Sequence, residues 1–417
     1  MRKLLIGICT VAAFAACSSS NNDEPSGPAG RTVLIYMAAE NSMTFNRFGT
    51  KEYRDCNTDI VQMKEGAKSI GNNHLVVYVD KAKDPKKELN DSTPYLLHFW
   101  NGELRDSIPM KECLTSDPAV LESIVRQAFT DYPADSYGLV LWGHASGWRF
   151  KNGKDSIEYT SVLPARRKAY GGDTGNNSYN SSGNYWINIP SLKTALKNAL
   201  NGKPRLDFIF ADCCNMMCVE CAYELKDVTD YLIGSPAEIP AEGAPYQTVV
   251  PAMMEKTSFY TSIVDRYYEQ TTEGLHNHVP LAVVKTSEMP ALAAATKTVL
   301  HTIDFNGYPN LSGLIYYLDY NLYDMNHFIL RYASEAEYQS WKQAFNNAVV
   351  YKKIATEWDT NNRVFFDFDI NDQTYGGLSM FVPKYTLQSS DNVEIKRMGW
   401  YYAAGLADLK WMPTPQQ

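Results

Sequence analysis

Six short apolar runs, almost free of polar residues, constrain this chain more than any other feature. They occupy 32–39, 74–79, 137–142, 206–211, 231–233 and 280–284. A strand with one face in water alternates apolar and polar side chains. A run that is apolar throughout must be covered on both faces, which suits a parallel sheet held between layers of helices. Helix-like stretches at 117–130, 189–200 and 216–226 separate the runs, and Asp117-Pro118 is a good start signal for the first. Strand, helix, strand repeated in this way predicts an α/β domain with a mostly parallel sheet flanked by helices, over 31–288. The stretch 149–185, rich in Gly, Asn and Ser, reads as a long surface loop. From about Met289 the pattern turns helical and aromatic, with a late extended run at 378–382, and predicts a helical or mixed C-terminal subdomain over 289–417.

The first residues predict export. Arg2 and Lys3 precede an apolar run over 4–16, too short to anchor in a bilayer by itself and shaped as a signal peptide. Phe14-Ala15-Ala16-Cys17 resembles a bacterial lipobox, in which Cys17 would become the lipidated first residue, and the polar segment 17–30 would be a flexible tether. The acidic pair Asp23-Glu24 is similar to tethers that carry such lipoproteins to the outer surface. The expectation is a lipid-anchored cell-envelope protein; the plainer alternative is an ordinary signal that happens to contain a cysteine. A net charge of −8 without a basic block argues against nucleic-acid binding. Four of the eight cysteines crowd into 213–221, which is not the spacing of a disulfide framework.

In an open parallel sheet, ligands bind beyond the carboxyl ends of the strands. Two runs end there in reactive side chains: 137–142 leads into Gly143-His144-Ala145, and 206–211 leads into Asp212-Cys213-Cys214. If those strands are neighbours, His144 and Cys214 meet at one edge of the sheet, as a base and a nucleophile. With a helix expected over 216–226, Cys214 would also sit at a helix start, where free N–H groups favour a thiolate and can hold an oxyanion. Such pairs are more often structural than catalytic.

The segment Trp142 to Trp148, WGHASGW, resembles the histidine motif of the clostripain-like cysteine peptidases, a caspase-like clan. Their nucleophile region is similar to Asp212-Cys213-Cys214 followed by Val219-Glu220-Cys221-Ala222-Tyr223-Glu224-Leu225. Counting back from Val219-Glu220 puts the nucleophile at Cys214 and not at Cys213. Similarity continues through 231–235 and 243–246, and is found again at 33–41, 377–379 and 400–401. The resemblance implies a caspase-like sheet, endopeptidase activity through a His144/Cys214 dyad, and an oxyanion site built from backbone N–H groups at Ala145 and Cys214. Family members often carry glycine where Ala145 stands.

In relatives that cut after Arg or Lys, an acid two residues before the nucleophile lines the specificity pocket, and here that residue is Asp212. Glu242 holds the place of a second acid, before Gly243. The resemblance thus implies a pocket that holds a basic P1 side chain; the plainer readings are a helix cap for Asp212 and a solvated loop residue for Glu242. Some relatives are activated by cutting a nearby loop, and Arg166-Arg167-Lys168-Ala169 offers a self-cleavage site between Lys168 and Ala169. No cofactor or zinc site is expected: the clustered cysteines lack two separated ligand pairs, and Cys218 and Cys221 suit core packing better. Calcium, which some relatives need, could use Asp324 and His327 or Asp367, Asp369 and Asp372, although no EF-hand loop is present. The competing function is a catalytically silent surface lipoprotein that binds peptide or glycan.

Overall fold

The computed structural model describes residues 29–45, 55–83, 92–150, 169–179, 182–269, 279–305, 307–318, 322–355, 358–360, 363–365, 370–383 and 391–412. The signal segment, Cys17, Lys168, Asp367 and Asp369 lie outside these residues. The strands in chain order begin with β1 (Ala29–Ala39), β2 (His74–Lys81), β3 (Tyr95–Trp100), β4 (Glu103–Pro109), β5 (Ala134–Trp142), β6 (Tyr170–Asp173), β7 (Tyr185–Ile187) and β8 (Leu206–Asp212). They continue with β9 (Thr229–Gly234), β10 (Leu281–Lys285), β11 (Tyr316–Leu318), β12 (Leu322–Asp324), β13 (Val349–Lys353), β14 (Trp358–Thr360), β15 (Arg363–Phe365) and β16 (Ser379–Phe381). Nine of them form one sheet in the order β13-β10-β9-β8-β5-β1-β2-β3-β4.

The five central strands of that sheet, β9, β8, β5, β1 and β2, are parallel, and an antiparallel pair closes each edge. All six apolar runs are strands of it, and five run parallel as expected; β10 runs antiparallel to β9. Alternation along each strand sends its residues into two separate cores. Leu34, Tyr36, Leu139, Leu141 and Ile209 pack on one face, whereas Val33, Ile35, Val140, Phe208 and Phe210 pack on the other. Helices cover both. The first face lies under α2 (Pro118–Asp131), α3 (Ile189–Ala199), α4 (Val219–Leu225) and α7 (Met289–Leu300), and the second under α1 (Cys56–Gly66), α5 (Tyr246–Met253) and α6 (Phe259–Tyr268). Asp117 caps α2 as its sequence predicts, its carboxylate accepting the Ala119 N–H at 3.1 Å.

Four features depart from the sequence reading. Segment 149–185 is not loop throughout: β6 pairs antiparallel with β7, and that ladder leans on β1. The helix expected over 216–226 is α4, which begins only at Val219, because residues 213–218 form a turn and a bridge to Ser379. The chain beyond 289 does not stand apart from the main sheet. It returns β13 as an edge strand beside β10, and its residues share the apolar core of the first face. The β3–β4 hairpin was not expected, although Asn101-Gly102 signals it: both residues have positive φ (50° and 75°), as a tight primed turn requires.

Arg31, 4% exposed at the start of β1, ties three elements together. Its guanidinium pairs with Asp207 of β8 at 2.6 Å and donates to the Met253 and Glu255 carbonyls, where α5 ends. A cation at a helix C-terminus also meets the negative end of the helix dipole. Arg31→Met would leave the carboxylate and both carbonyls without these donors. We expect a loss of about 3 kcal/mol, the lower end for breaking a buried pair because Asp207 is partly exposed, measured by urea unfolding.

Candidate active site

β5 and β8 are adjacent, parallel and in register, with Trp142 opposite Asp212. His144 and Cys214 each follow that pair by two residues, so they leave the same carboxyl edge from neighbouring strands, which lie about 4.8 Å apart. The loops that carry them touch. Gly147, in the left-handed region at φ 71°, lies so close that a Cβ there would come within 2.8 Å of the Asn215 carbonyl and 3.3 Å of the Cys218 sulfur. Both loops therefore depend on a residue without a side chain at that contact.

Cys214 is half-buried at the crest of a turn, and its sulfur accepts the Ile239 N–H at 3.4 Å. Asn215 follows with φ 59°, a backbone state that asparagine tolerates better than most residues, and its N–H donates to the Ala237 carbonyl. The expected helix start is not beside the sulfur, since α4 begins after Cys218, four residues further on. Cys213 differs from its neighbour. It is 1% exposed, and burial pushes its thiol well above the ordinary range, as it does for Cys221. Of the two adjacent thiols, only Cys214 reaches the edge of the sheet in a partly open position. Cys218 and Cys221 lie in the core of the first face.

His144 is also half-buried. Its Nε2 lies 2.9 Å from Ser42 Oγ, and its ring centroid is 6.5 Å from that of Trp186 on β7. The loop after it is fixed by β6: the Gly171 N–H donates to the His144 carbonyl at 2.9 Å and the Ser146 N–H to the Ala169 carbonyl at 3.1 Å. Ala145 and Tyr170 are then the opposed pair that exchanges no bonds, so the Ala145 N–H points away from β6. Ala169 is fully buried in this ladder, which a cut between Lys168 and Ala169 would leave as a new chain start.

Asp212 meets the segment that begins at Glu242, which sequence separation alone does not reveal. The Asp212 carboxylate is 2% exposed and accepts the Ala244 N–H at 3.1 Å and the Tyr246 O–H at 2.7 Å. Gly243 (φ 57°) sits directly on it, and Glu242, 4% exposed, precedes that glycine. Asp212 is thus an anchor for the 243–246 turn, and the N-cap position of α4 falls at Cys218, whose side chain makes no capping bond. Two acids of the nucleophile motif prove structural as well. Glu220 accepts the Phe381 N–H at 2.8 Å and Glu224 pairs with Lys193 at 2.6 Å.

One group of side chains escaped the sequence reading. Glu40, Asp80 and Asp173, all buried, bring carboxylate oxygens within 4.8 Å of one another beside the ends of β1, β2 and β6. Thr174 O–H and the N–H groups of Asn176 and Asn177 donate to Glu40, and Thr115 N–H and Gly175 N–H donate to Asp173. Thr115 O–H donates to one oxygen of Asp80, whose other oxygen is buried without a hydrogen bond. Burial pushes the Asp80 carboxyl up to about 8, and burial together with Glu40 pushes Asp173 up to about 7. An all-oxygen set of this kind suits a hard divalent cation. Asp324 is otherwise engaged: its carboxylate accepts the His327 and Gly376 N–H groups and the Tyr317 O–H, while His327 Nδ1 accepts the Ile315 N–H.

The model of the clostripain family matches residues 35–384. A structure described as a secreted C11 cysteine protease from Bacteroides thetaiotaomicron, in complex with an irreversible peptide inhibitor, is similar at 29% identity and TM-score 0.71, over 91% of this chain and 100% of that one. An inactive zymogen C11 protease from Parabacteroides distasonis is similar at 27% identity and TM-score 0.67, over 91% and 99%. No curated protein matches the chain.

Asp80 and Asp173 give a pH dependence with a definite sign. Raised carboxyl groups hold protons in the folded state that the unfolded chain releases near pH 4, so stability falls as pH rises from about 4 to 8 and then levels off. Asp80→Asn keeps an acceptor for Thr115 and removes one titration. It should flatten that decline and gain most on the wild type at pH 8.5, read from denaturant unfolding between pH 5 and 9.

Proposed function

Because the chain belongs to the clostripain family of cysteine peptidases, we propose that it is an endopeptidase in which Cys214 attacks the peptide carbonyl and His144 moves the proton. The observation that carries this reading is the in-register pairing of β5 with β8, which brings both residues out at one edge on loops in mutual contact. In the proposed cycle the Cys214 sulfur bonds to the carbonyl carbon, and His144 takes the thiol proton. The oxyanion is held by N–H groups at Ala145 and Cys214. As the C–N bond breaks, the proton passes from His144 to the leaving amine, and water then hydrolyses the thioester.

Specificity for Arg or Lys at P1 belongs to the same proposal. Asp212 closes β8 and Glu242 opens the segment that packs on it, so two acids stand near the nucleophile's strand, and a basic P1 side chain would pair with them. Since Asp212 also holds a turn, Glu242 is the cleaner residue to test. This chemistry runs without a cofactor; any calcium requirement would have its donors in Glu40, Asp80 and Asp173. The similarity to a secreted protease supports export. Among the described residues no helix is long and apolar enough to cross a membrane, and we assign the lipid anchor to Cys17. The similarity to a zymogen supports activation by a cut at Lys168-Ala169.

Three outcomes are expected from the mature chain and fluorogenic peptides with Arg, Lys, Ala, Leu or Asp at P1. Cys214→Ala should lower turnover by at least ~10³-fold, as loss of a nucleophile does elsewhere. Glu242→Gln should reduce kcat/KM for Arg and Lys about tenfold and leave Ala and Leu unchanged; equal loss on all peptides would sink the pocket assignment. Mass spectrometry should find a new chain start at Ala169 in the wild type and none in Cys214→Ala.

A further inference from the structure

Three acids meet where β1, β2 and β6 end. Asp80 of β2 lies opposite Ala38 of β1, Glu40 follows β1 by one residue, and Asp173 closes β6, which leans on β1. Asp80 and Asp173 are 0% exposed and Glu40 is 2% exposed. The donors that reach them are neutral. Glu40 Oε1 accepts the Thr174 O–H and the Asn176 and Asn177 N–H groups, Asp173 accepts the Thr115 and Gly175 N–H groups, and Asp80 Oδ2 accepts the Thr115 O–H. Among the described residues no Lys, Arg or His forms an ion pair with any of the three. Buried carboxylates are ordinarily paired with a cation or bound to a metal.

Asp80 adds a second observation. Its Oδ1 is buried and has no hydrogen-bond partner, although the side chain sits within the group. An oxygen left dry in this way is costly. Asn177, whose N–H donates to Glu40, also carries a buried side-chain oxygen without a partner. A shared proton bridges two oxygens at a time, whereas one dication attracts all of them together.

We propose that Glu40, Asp80 and Asp173 form a calcium site that fastens the end of β6 to the ends of β1 and β2. Their oxygens lie within 4.8 Å of one another, the span across one calcium ion with oxygens at about 2.4 Å. Magnesium holds its ligands at about 2.05 Å in a stricter octahedron and gives up water reluctantly. The set offers no nitrogen or sulfur, which zinc and copper favour. An amide oxygen such as that of Asn177 is a common further ligand for calcium. The ion acts on β6, whose neighbourhood braces the His144 loop through the Gly171 and Ser146 N–H bonds. The site stands apart from the Cys/His reading, and its test needs no turnover.

The mature chain, stripped with EGTA, is titrated with calcium or with magnesium alone, and thermal unfolding and amide exchange are followed. Calcium at about 10 mM, roughly 100-fold above the Kd of a weak extracellular-type site, should raise Tm by about 3 °C. It should also slow exchange over 170–177, and the same concentration of magnesium should do neither. Asp80→Asn keeps an acceptor for Thr115 and loses the charge. Without calcium it should be at least as stable as the wild type. With calcium it should bind at least ~tenfold more weakly and gain about half the Tm shift. Terbium, a luminescent substitute for calcium, tests the wild type even where a variant fails to fold. Tyr78 stands two residues before Asp80 on the same face of β2 and stacks on Tyr36 at 4.9 Å, so tyrosine-sensitised emission should appear and be displaced by calcium. No calcium-specific shift in the wild type, an undiminished shift in Asp80→Asn, or protection confined to other segments overturns the site. None of these results bears on Cys214→Ala, and loss of the Cys214→Ala effect would remove the dyad while leaving the calcium shift in place.

Discussion

Everything at the functional edge depends on the parallel register of β5 against β8. Parallel strands end together, and each turns away from the sheet over its own carboxyl end. With Trp142 opposite Asp212, the residues that follow are delivered side by side without either loop having to reach. A one-residue slip would turn every side chain of β8 to the other face, exchanging Phe208 and Phe210 with Ile209 and Ala211 between two differently shaped cores. The register is thus defended by burial on both faces, far from the reactive groups it positions.

The loops beyond the strands are held by backbone more than by side chains. The β6–β7 ladder braces the His144 loop through Gly171 and Ser146. The Ala237 and Ser235 carbonyls receive the Asn215 and Met217 N–H groups around Cys214. Main-chain bonds of this kind fix the path of a loop while leaving its side chains free for chemistry. The acids around the site take the remaining structural burden. Asp212 clamps the 243–246 turn and Glu220 holds Phe381 of β16, so residues that help identify the family also join the nucleophile segment to the rest of the fold.

The N-terminal strand has a double role. Through Arg31 it secures the end of α5 on one side of the molecule, and at its other end it supplies Glu40, Asn41 and Ser42 to the edge where His144 stands. That is why a buried acid group and the Ser42 hydroxyl beside His144 lie so near each other. Both are consequences of β1 lying between β2 and β5.

By itself the sequence determined the layered α/β class, because apolar runs without polar interruption can be covered only by helices on both faces. It also singled out candidate residues, since Gly143-His144 and Asp212-Cys213-Cys214 close two of those runs and the resemblance to the family's motif favours Cys214 over Cys213. Only tertiary structure decided which strands are neighbours, since strand order follows from the packing of elements distant in the chain. For that reason Ser42 and the Glu40, Asp80 and Asp173 group were invisible: their residues stand at the ends of different strands and carry no local spacing. The start of α4 was misread for a related reason. Residues 213–218 have acceptable helix propensity, but their backbone is committed to Ala237, Ser235 and Ser379, and long-range hydrogen bonds outweigh a weak local preference.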